Sequence, residues 1–162
     1  STQVRSLLDT EPLDNCIVAF SFTPTVIAER LEHKTPAVHK RIGAMVKLQR
    51  QGWRLGLRFD PLVFESHYKK LYEDLFREIF RHIEVESLHS VSLGSFRLPV
   101  DYYRQLVRMY PDELLFAGPI TDNRGMTGYR QNVEHEMIDF CTRALRQYIP
   151  EEIFFPCHDT IV

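Results

Sequence analysis

The residues able to do chemistry in this sequence are scattered rather than clustered. Cys16, Cys141 and Cys157 stand 125 and 16 positions apart, a spacing that fits neither a zinc ligand set nor a local iron–sulfur motif. An odd, widely spaced set also argues against a disulfide framework and for a reducing compartment, so a cytoplasmic location is expected. His135 and Asp139 would fall one turn apart on a helix, a metal-holding spacing, but Arg143 continues the same stripe and makes it a solvated face. There is no glycine-rich phosphate loop, H-E-x-x-H pair or nucleophile elbow. No metal ligand is therefore assigned. What remains is polar residues near the ends of predicted strands: Ser21, Asp60 and Arg97. A parallel sheet binds its ligands at the carboxyl ends of its strands, which makes these three the positions of interest. The plainer reading is that Ser caps a turn and Asp before Pro starts one.

The elements that must position them follow from periodicity. Residues 2–9 read as a short helix with Val4, Leu7 and Leu8 on one side. Residues 16–22 are continuously apolar, the pattern of a strand covered on both faces, and Thr23-Pro24 opens a helical turn through Arg30. Thr35-Pro36 reads as a cap followed by Pro at the first helical position, and Gly52 as a C-terminal stop, which predicts a helix over 36–51. Val38, Ile42, Met45 and Val46 form its buried stripe, with His39, Lys40, Lys47 and Arg50 opposite. A second strand is predicted over 53–59, ended by Asp60-Pro61, then a helix over 65–81 with Tyr68, Leu71, Tyr72, Leu75, Phe76 and Ile79 inward. A third strand falls within 85–96, a helix over 99–109, an irregular glycine- and proline-rich stretch over 111–130, a strong helix over 132–148 and a short edge strand at 153–155. Strands alternating with helices of this length imply right-handed β-α-β units and a parallel sheet. About three units are visible, too few to close an eight-unit barrel.

With 162 residues, 44% hydrophobic and 26% charged, the chain suits a single domain, 1–162, with a real core. No apolar run approaches the roughly 18 residues of a membrane span. The net charge of −2 carries no nucleic-acid signature, yet residues 30–58 hold eight Lys/Arg against Glu32 alone. That stretch reads as a solvated basic helix face, with a DNA footprint as the alternative.

Two stretches carry a specific signal. Phe20-Ser21-Phe22-Thr23-Pro24, running on to Glu32-His33-Lys34-Thr35, and Gly52-Trp53-Arg54-Leu55-Gly56-Leu57-Arg58-Phe59-Asp60-Pro61 resemble the spore photoproduct lyase family of radical S-adenosylmethionine (SAM) enzymes. Looser similarity continues through Phe96-Arg97 and Tyr110-Pro111, and from Gly128 to Pro156. The resemblance corresponds to the C-terminal half of such an enzyme and implies an α/β fold: half of an open, partial TIM-type β/α barrel with parallel strands. In the family a [4Fe-4S] cluster sits on a Cys-x3-Cys-x2-Cys motif in the N-terminal half, and the hydrogen-donating Cys also lies there. The chain begins Ser-Thr-Gln, which fits the remainder of a longer polypeptide starting just after a SAM-contacting Lys.

By this resemblance the chemistry is the cofactor's: a reduced cluster cleaves SAM to a 5′-deoxyadenosyl radical, which abstracts hydrogen from a thymine dimer in DNA. Ser21 falls on a SAM-contact position and would hydrogen-bond the amino acid or ribose part. Asp60 falls where the backbone approaches the adenosyl group, although the spore enzyme has a small apolar residue there. Arg97 falls on an Arg of the family and would grip a phosphate beside a flipped-out lesion, with Arg124 and Arg130 of the loop closing over the same strand. Pairing of Arg97 with Asp101 is the structural alternative. The expected partners are DNA and the missing N-terminal half, with dimers through the open sheet edge when that half is absent. Alone, the chain is expected to bind no cluster and to be inactive. The rival reading is a non-catalytic α/β binding module, for nucleic acid, that kept the half-barrel without its cluster domain.

Overall fold

In the computed structural model, which describes residues 2–157, the chain builds one four-stranded parallel sheet with helices against one face. The helices are α1 (Arg5–Leu8), α2 (Thr25–Leu31), α3 (Val38–Gln51), α4 (Tyr68–Phe80), α5 (Val100–Met109) and α6 (Gln131–Leu145). The strands are β1 (Ile17–Ser21), β2 (Arg54–Leu62), β3 (Leu88–Ser95), β4 (Arg97–Pro99), β5 (Ile120–Asn123), β6 (Met126–Tyr129) and β7 (Phe154–Cys157). The parallel sheet has the order β1-β2-β3-β7, so its successive strands are neighbours joined by β-α-β crossovers.

The register explains which residues are buried. β1 pairs Ala19 with Gly56 and Ser21 with Arg58, and β2 pairs Gly56 with Ser90 and Arg58 with Ser92. Gly94 of β3 pairs with Cys157 of β7. Because side chains alternate along a strand, one face carries Phe20, Leu55, Leu57, Phe59, Val91, Leu93 and Phe154. These join Ile42, Met45 and Leu48 of α3, Tyr72, Phe76 and Ile79 of α4, and Met137, Cys141 and Leu145 of α6 in a single core. The other face carries Ala19, Ser21, Arg54, Gly56, Arg58, Asp60, Ser90, Ser92, Gly94, Phe155 and Cys157. Of these, Ala19, Ser21, Arg54, Asp60 and Phe155 are exposed, while Gly56, Ser90, Ser92 and Gly94 are buried among their neighbours, and none of the helices named above packs its apolar stripe there.

Three expectations are corrected here. The run 16–22 is not covered on both faces: only Phe20 of β1 is fully buried, while Ile17, Ala19 and Ser21 are exposed. Thr35 does not cap α3, whose N-cap is Ala37 with no side-chain cap; the Thr35 hydroxyl donates instead to the Glu32 carbonyl at 2.8 Å. β2 does not end at Asp60-Pro61 but runs to Leu62, with a register shift between Phe59 and Leu62 that accommodates the proline. Gly52 does close α3, at φ 94°, where glycine avoids the steric cost of the left-handed region.

The stretch 111–130 is more ordered than its composition suggests. β5 and β6 form a hairpin whose two-residue tip, Arg124-Gly125, has both φ values positive, and β4 adds to β6 as a third antiparallel strand. This small second sheet follows directly on the end of β3. Arg-Gly supplies the positive φ that a tight hairpin needs, but four-residue strands broken by glycine leave little alternation to read.

The N-terminal segment is tied to the C-terminal end of α3. Trp53, 2% exposed, donates its indole N–H to the Leu7 carbonyl at 3.2 Å, and the Gln51 amide donates to the carbonyls of Leu8 and Thr10. Trp53→Phe keeps most of the packing and removes one hydrogen bond. We expect a loss of about 1 kcal/mol in urea denaturation, with the slope unchanged.

Candidate functional site at the carboxyl end of the sheet

All four parallel strands deliver polar or small residues to one end. Ser21 closes β1 and is exposed; its carbonyl accepts from Arg41 Nη1 at 2.9 Å. Arg41, 7% exposed, also donates through Nη2 to Glu32 Oε2 at 2.6 Å and lies over the Phe22 ring. Thr35 Oγ1 reaches the same carboxylate oxygen at 3.2 Å. The Glu32-His33-Lys34-Thr35 motif is thus a folded turn whose carboxylate anchors a buried guanidinium, and that guanidinium fixes the strand end carrying Ser21. A groove of about 390 Å³ opens here, along the outer side of β1, lined by Val4, Leu7, Phe20, Ser21, Thr35 and Arg41 among others.

On the uncovered face, Arg58 lies flat over Gly56. Its Nη1 donates to the carbonyls of Leu57 and Ser90 at 3.0 and 3.3 Å, and its Nη2 to Ser90 Oγ at 3.0 Å. A Cβ at Gly56 would stand 3.1 Å from Nη2, so the glycine makes room for the guanidinium. Two residues on, Asp60 sits over Gly94 beside Cys157. The Cys157 thiol is pushed up first by burial and then by the Asp60 carboxylate, while Arg97 and Arg58 act against that shift. Asp60, Cys157, Arg97 and Arg58 are therefore electrostatic neighbours around the ends of β2, β3 and β7. A Cβ on Gly94 would meet Asp60 Oδ1 at 3.0 Å and Cys157 Cβ at 3.1 Å. Gly94→Ala should force both apart and cost about 1–3 kcal/mol; chemical denaturation measures the loss, and an unchanged midpoint would mean the rim is slack.

β3 is tied to α6 by the Ser95 hydroxyl, which donates to Glu134 Oε1. The backbone between β2 and α4 is held from two sides: Val63 N donates to the Tyr72 hydroxyl and Phe64 N to the Tyr129 hydroxyl, each at 2.8 Å. Burial pushes the Tyr129 hydroxyl up to about 12 and that of Tyr72 well up, so both remain neutral partners.

The structure thus brings Ser21 and Asp60 to the same end and face of the sheet. Arg97, exposed, opens β4 opposite Gly128, and Arg130 precedes α6 two residues beyond Gly128, so these two share one end of the small sheet. Arg124 is at the hairpin tip, roughly 10 Å farther along at strand spacing. Asp101 lies 3.8 Å from Arg104. His135, Asp139 and Arg143 are all exposed on α6, as a solvated face requires. Sequence reasoning missed Arg41, Arg58 and the placement of Cys157. The signal for Arg58 was present: Arg54, Gly56, Arg58 and Asp60 alternate with Trp53, Leu55, Leu57 and Phe59, marking a strand with one apolar and one polar face.

The family model described as spore photoproduct lyase matches residues 1–113. This chain belongs to the spore photoproduct lyase family. Among solved structures, a double mutant of spore photoproduct lyase with AdoMet and dinucleoside spore photoproduct bound is 21% identical, with TM-score 0.80, covering 98% of this chain and 49% of that one. A single mutant with dinucleoside spore photoproduct is 21% identical, with TM-score 0.81, covering 96% and 49%. The likeness shows the fold, a mixed α/β partial barrel, and the chain spans about half the length of these structures. A search of curated proteins finds no match. No helix among the described residues is long and apolar enough to cross a membrane.

Proposed function

We propose that the chain is the C-terminal part of a radical SAM lyase that reverses a thymine-dimer lesion in DNA. The observation that carries this reading is the uncovered, polar sheet face at the carboxyl ends of the strands, in a chain of this family. The cluster does not fit this chain. Cys16 precedes β1 at the far end of the sheet from Cys157, and Cys141 is in the core with its thiol pushed up to about 12 by burial. No group of three potential ligands exists among the described residues. A cluster of this family would be carried by the complementary half.

SAM suits the site better, because the face is polar and its floor is built from Gly, Ala and Ser. Ser21 and Asp60 would hold it, and bound beside a reduced cluster it supplies hydrogen abstraction from the lesion. This chain's contribution is placement. Arg41 fixes the Ser21 strand end, Arg97 and Arg130 grip backbone phosphates at the rim, and Arg124 reaches a phosphate farther along. Joined to the complementary half, the sheet would exclude water from the site.

The test joins this chain with the cluster-bearing N-terminal half of a spore photoproduct lyase, loads the cluster and supplies SAM with dinucleoside spore photoproduct. Chromatography should show conversion to thymidines that needs this chain, with Ser21→Ala raising the KM for SAM. A tightly joined pair with a full cluster and no conversion would overturn the reading.

A further inference from the structure

We propose that Arg58 is an oxyanion-binding residue: a carboxylate or phosphate of a ligand lying on the uncovered sheet face docks against its guanidinium. The reading deepens the function proposed above, on which the choice of probes rests.

The two inward guanidinium groups of this chain are treated differently. Arg41 has a carboxylate partner, Glu32, at 2.6 Å. Arg58 is half-buried, and the groups it donates to, two carbonyls and one hydroxyl, are all neutral. Among the described residues no carboxylate oxygen lies within 4.0 Å of it. Asp60, the nearest acid along the strand, sits instead over Gly94 beside Cys157. Three neutral acceptors orient the group without cancelling its charge, and they occupy three of the five N–H donors of a guanidinium. A half-buried cation held rigidly by neutral groups, with the neighbouring Asp60 turned to Gly94 and Cys157 instead, is costly to fold unless something meets it.

The surroundings admit a ligand. Ser21 and Ser92 flank Arg58 on the neighbouring strands, and Ala19 and Gly56 lie one step below. No bulky side chain stands next to it on those strands at these positions. Arg97 at the rim adds positive charge to the same neighbourhood. A planar fork with two donors left over matches an oxyanion in geometry as well as sign. Because Ser21 faces Arg58 directly, a ligand touching the serine hydroxyl can place an oxyanion on the guanidinium at the same time.

The experiment follows the Arg58 side-chain N–H signal by NMR while the 162-residue chain is titrated with four probes. SAM is compared with 5′-methylthioadenosine, which lacks the amino acid carboxylate, and thymidylyl-thymidine with thymidine, which lacks the phosphate. The expected result is that one charged probe binds more tightly than its neutral counterpart and shifts the signal. Arg58→Met should weaken that probe about tenfold or more, Arg58→Lys should recover part of the loss, and the neutral probes should be unaffected. Preference for SAM assigns a carboxylate, and preference for thymidylyl-thymidine a phosphate. Equal binding of charged and neutral probes, or an Arg58→Met chain of native circular dichroism that binds all probes as before, overturns the proposal. These readouts need neither cluster nor turnover, so failure of the lyase reading and failure of this one are distinguishable.

Discussion

Arg41→Met should be the most destabilising single change at the candidate site, lowering the unfolding free energy by about 3–5 kcal/mol. The guanidinium is almost fully buried and connects three things: the Ser21 carbonyl, the Glu32 carboxylate and the Phe22 ring. Met keeps the stem and some of the ring contact but leaves Glu32, whose side chain is 23% exposed, without its cation. The cost comes mainly from that stranded charge. Arg41→Met with Glu32→Gln should therefore recover a substantial part of the loss, and a double-mutant cycle in urea separates the pair from its context. A loss under about 1 kcal/mol for Arg41→Met, or additivity of the two changes, would show that solvent already screens the pair and that the Glu32–Thr35 turn holds itself.

The second large effect concerns association. Phe22 N donates to the Arg58 carbonyl at 2.9 Å, so by the two-residue period the backbone groups of Val18 and Phe20 also face β2, while those of Ile17, Ala19 and Ser21 face outward. Arg41 occupies the outward Ser21 carbonyl. What is left is a template with the N–H groups of Ile17, Ala19 and Ser21 and two carbonyls. We propose that a second copy pairs there when no complementary half is present, so light scattering should show dimers at high concentration. Ala19→Pro removes an outward N–H and no bond to β2, a position an edge strand tolerates. It should give a monomer with near-native stability. A wild-type chain that stays monomeric at high concentration, or an Ala19→Pro chain that still dimerises, excludes the β1 edge as the interface.

Much of the architecture was legible because the decisive signals are local. The alternation of strands and helices, the Gly52 stop and the inner stripe of α4 follow from side-chain period and backbone sterics alone. The antiparallel sheet was not legible, because β4 has three residues and β5 and β6 four each, and their pairing is fixed by the Arg124-Gly125 tip rather than by an apolar pattern. At the site, the position of Ser21 and Asp60 at strand ends was legible, and the alternation through Arg58 was there to be read, but Arg41 was hidden. Arg41 and Arg58 both lie in a basic stretch that reads as solvated, and only the folded structure shows that one pairs with Glu32 and the other lies across Gly56. The double coverage expected of residues 16–22 failed for a related reason. Composition reports that a strand is apolar and not which neighbour is present to cover it.

Residues 63 and 64 lie outside any helix or strand, yet their amide hydrogens should be among the slowest to exchange with deuterium. Each is handed to a buried tyrosine oxygen, one on α4 and the other on β6, so the Val63 amide is shielded within the main layer and the Phe64 amide meets solvent only when the small sheet parts from the β2–α4 connection. Loops usually exchange by local fraying; here Phe64 should exchange in the opening that parts the two sheets, and Val63 only when α4 leaves the main sheet. Matching exchange rates at these two amides would then show that α4 and the small sheet open together.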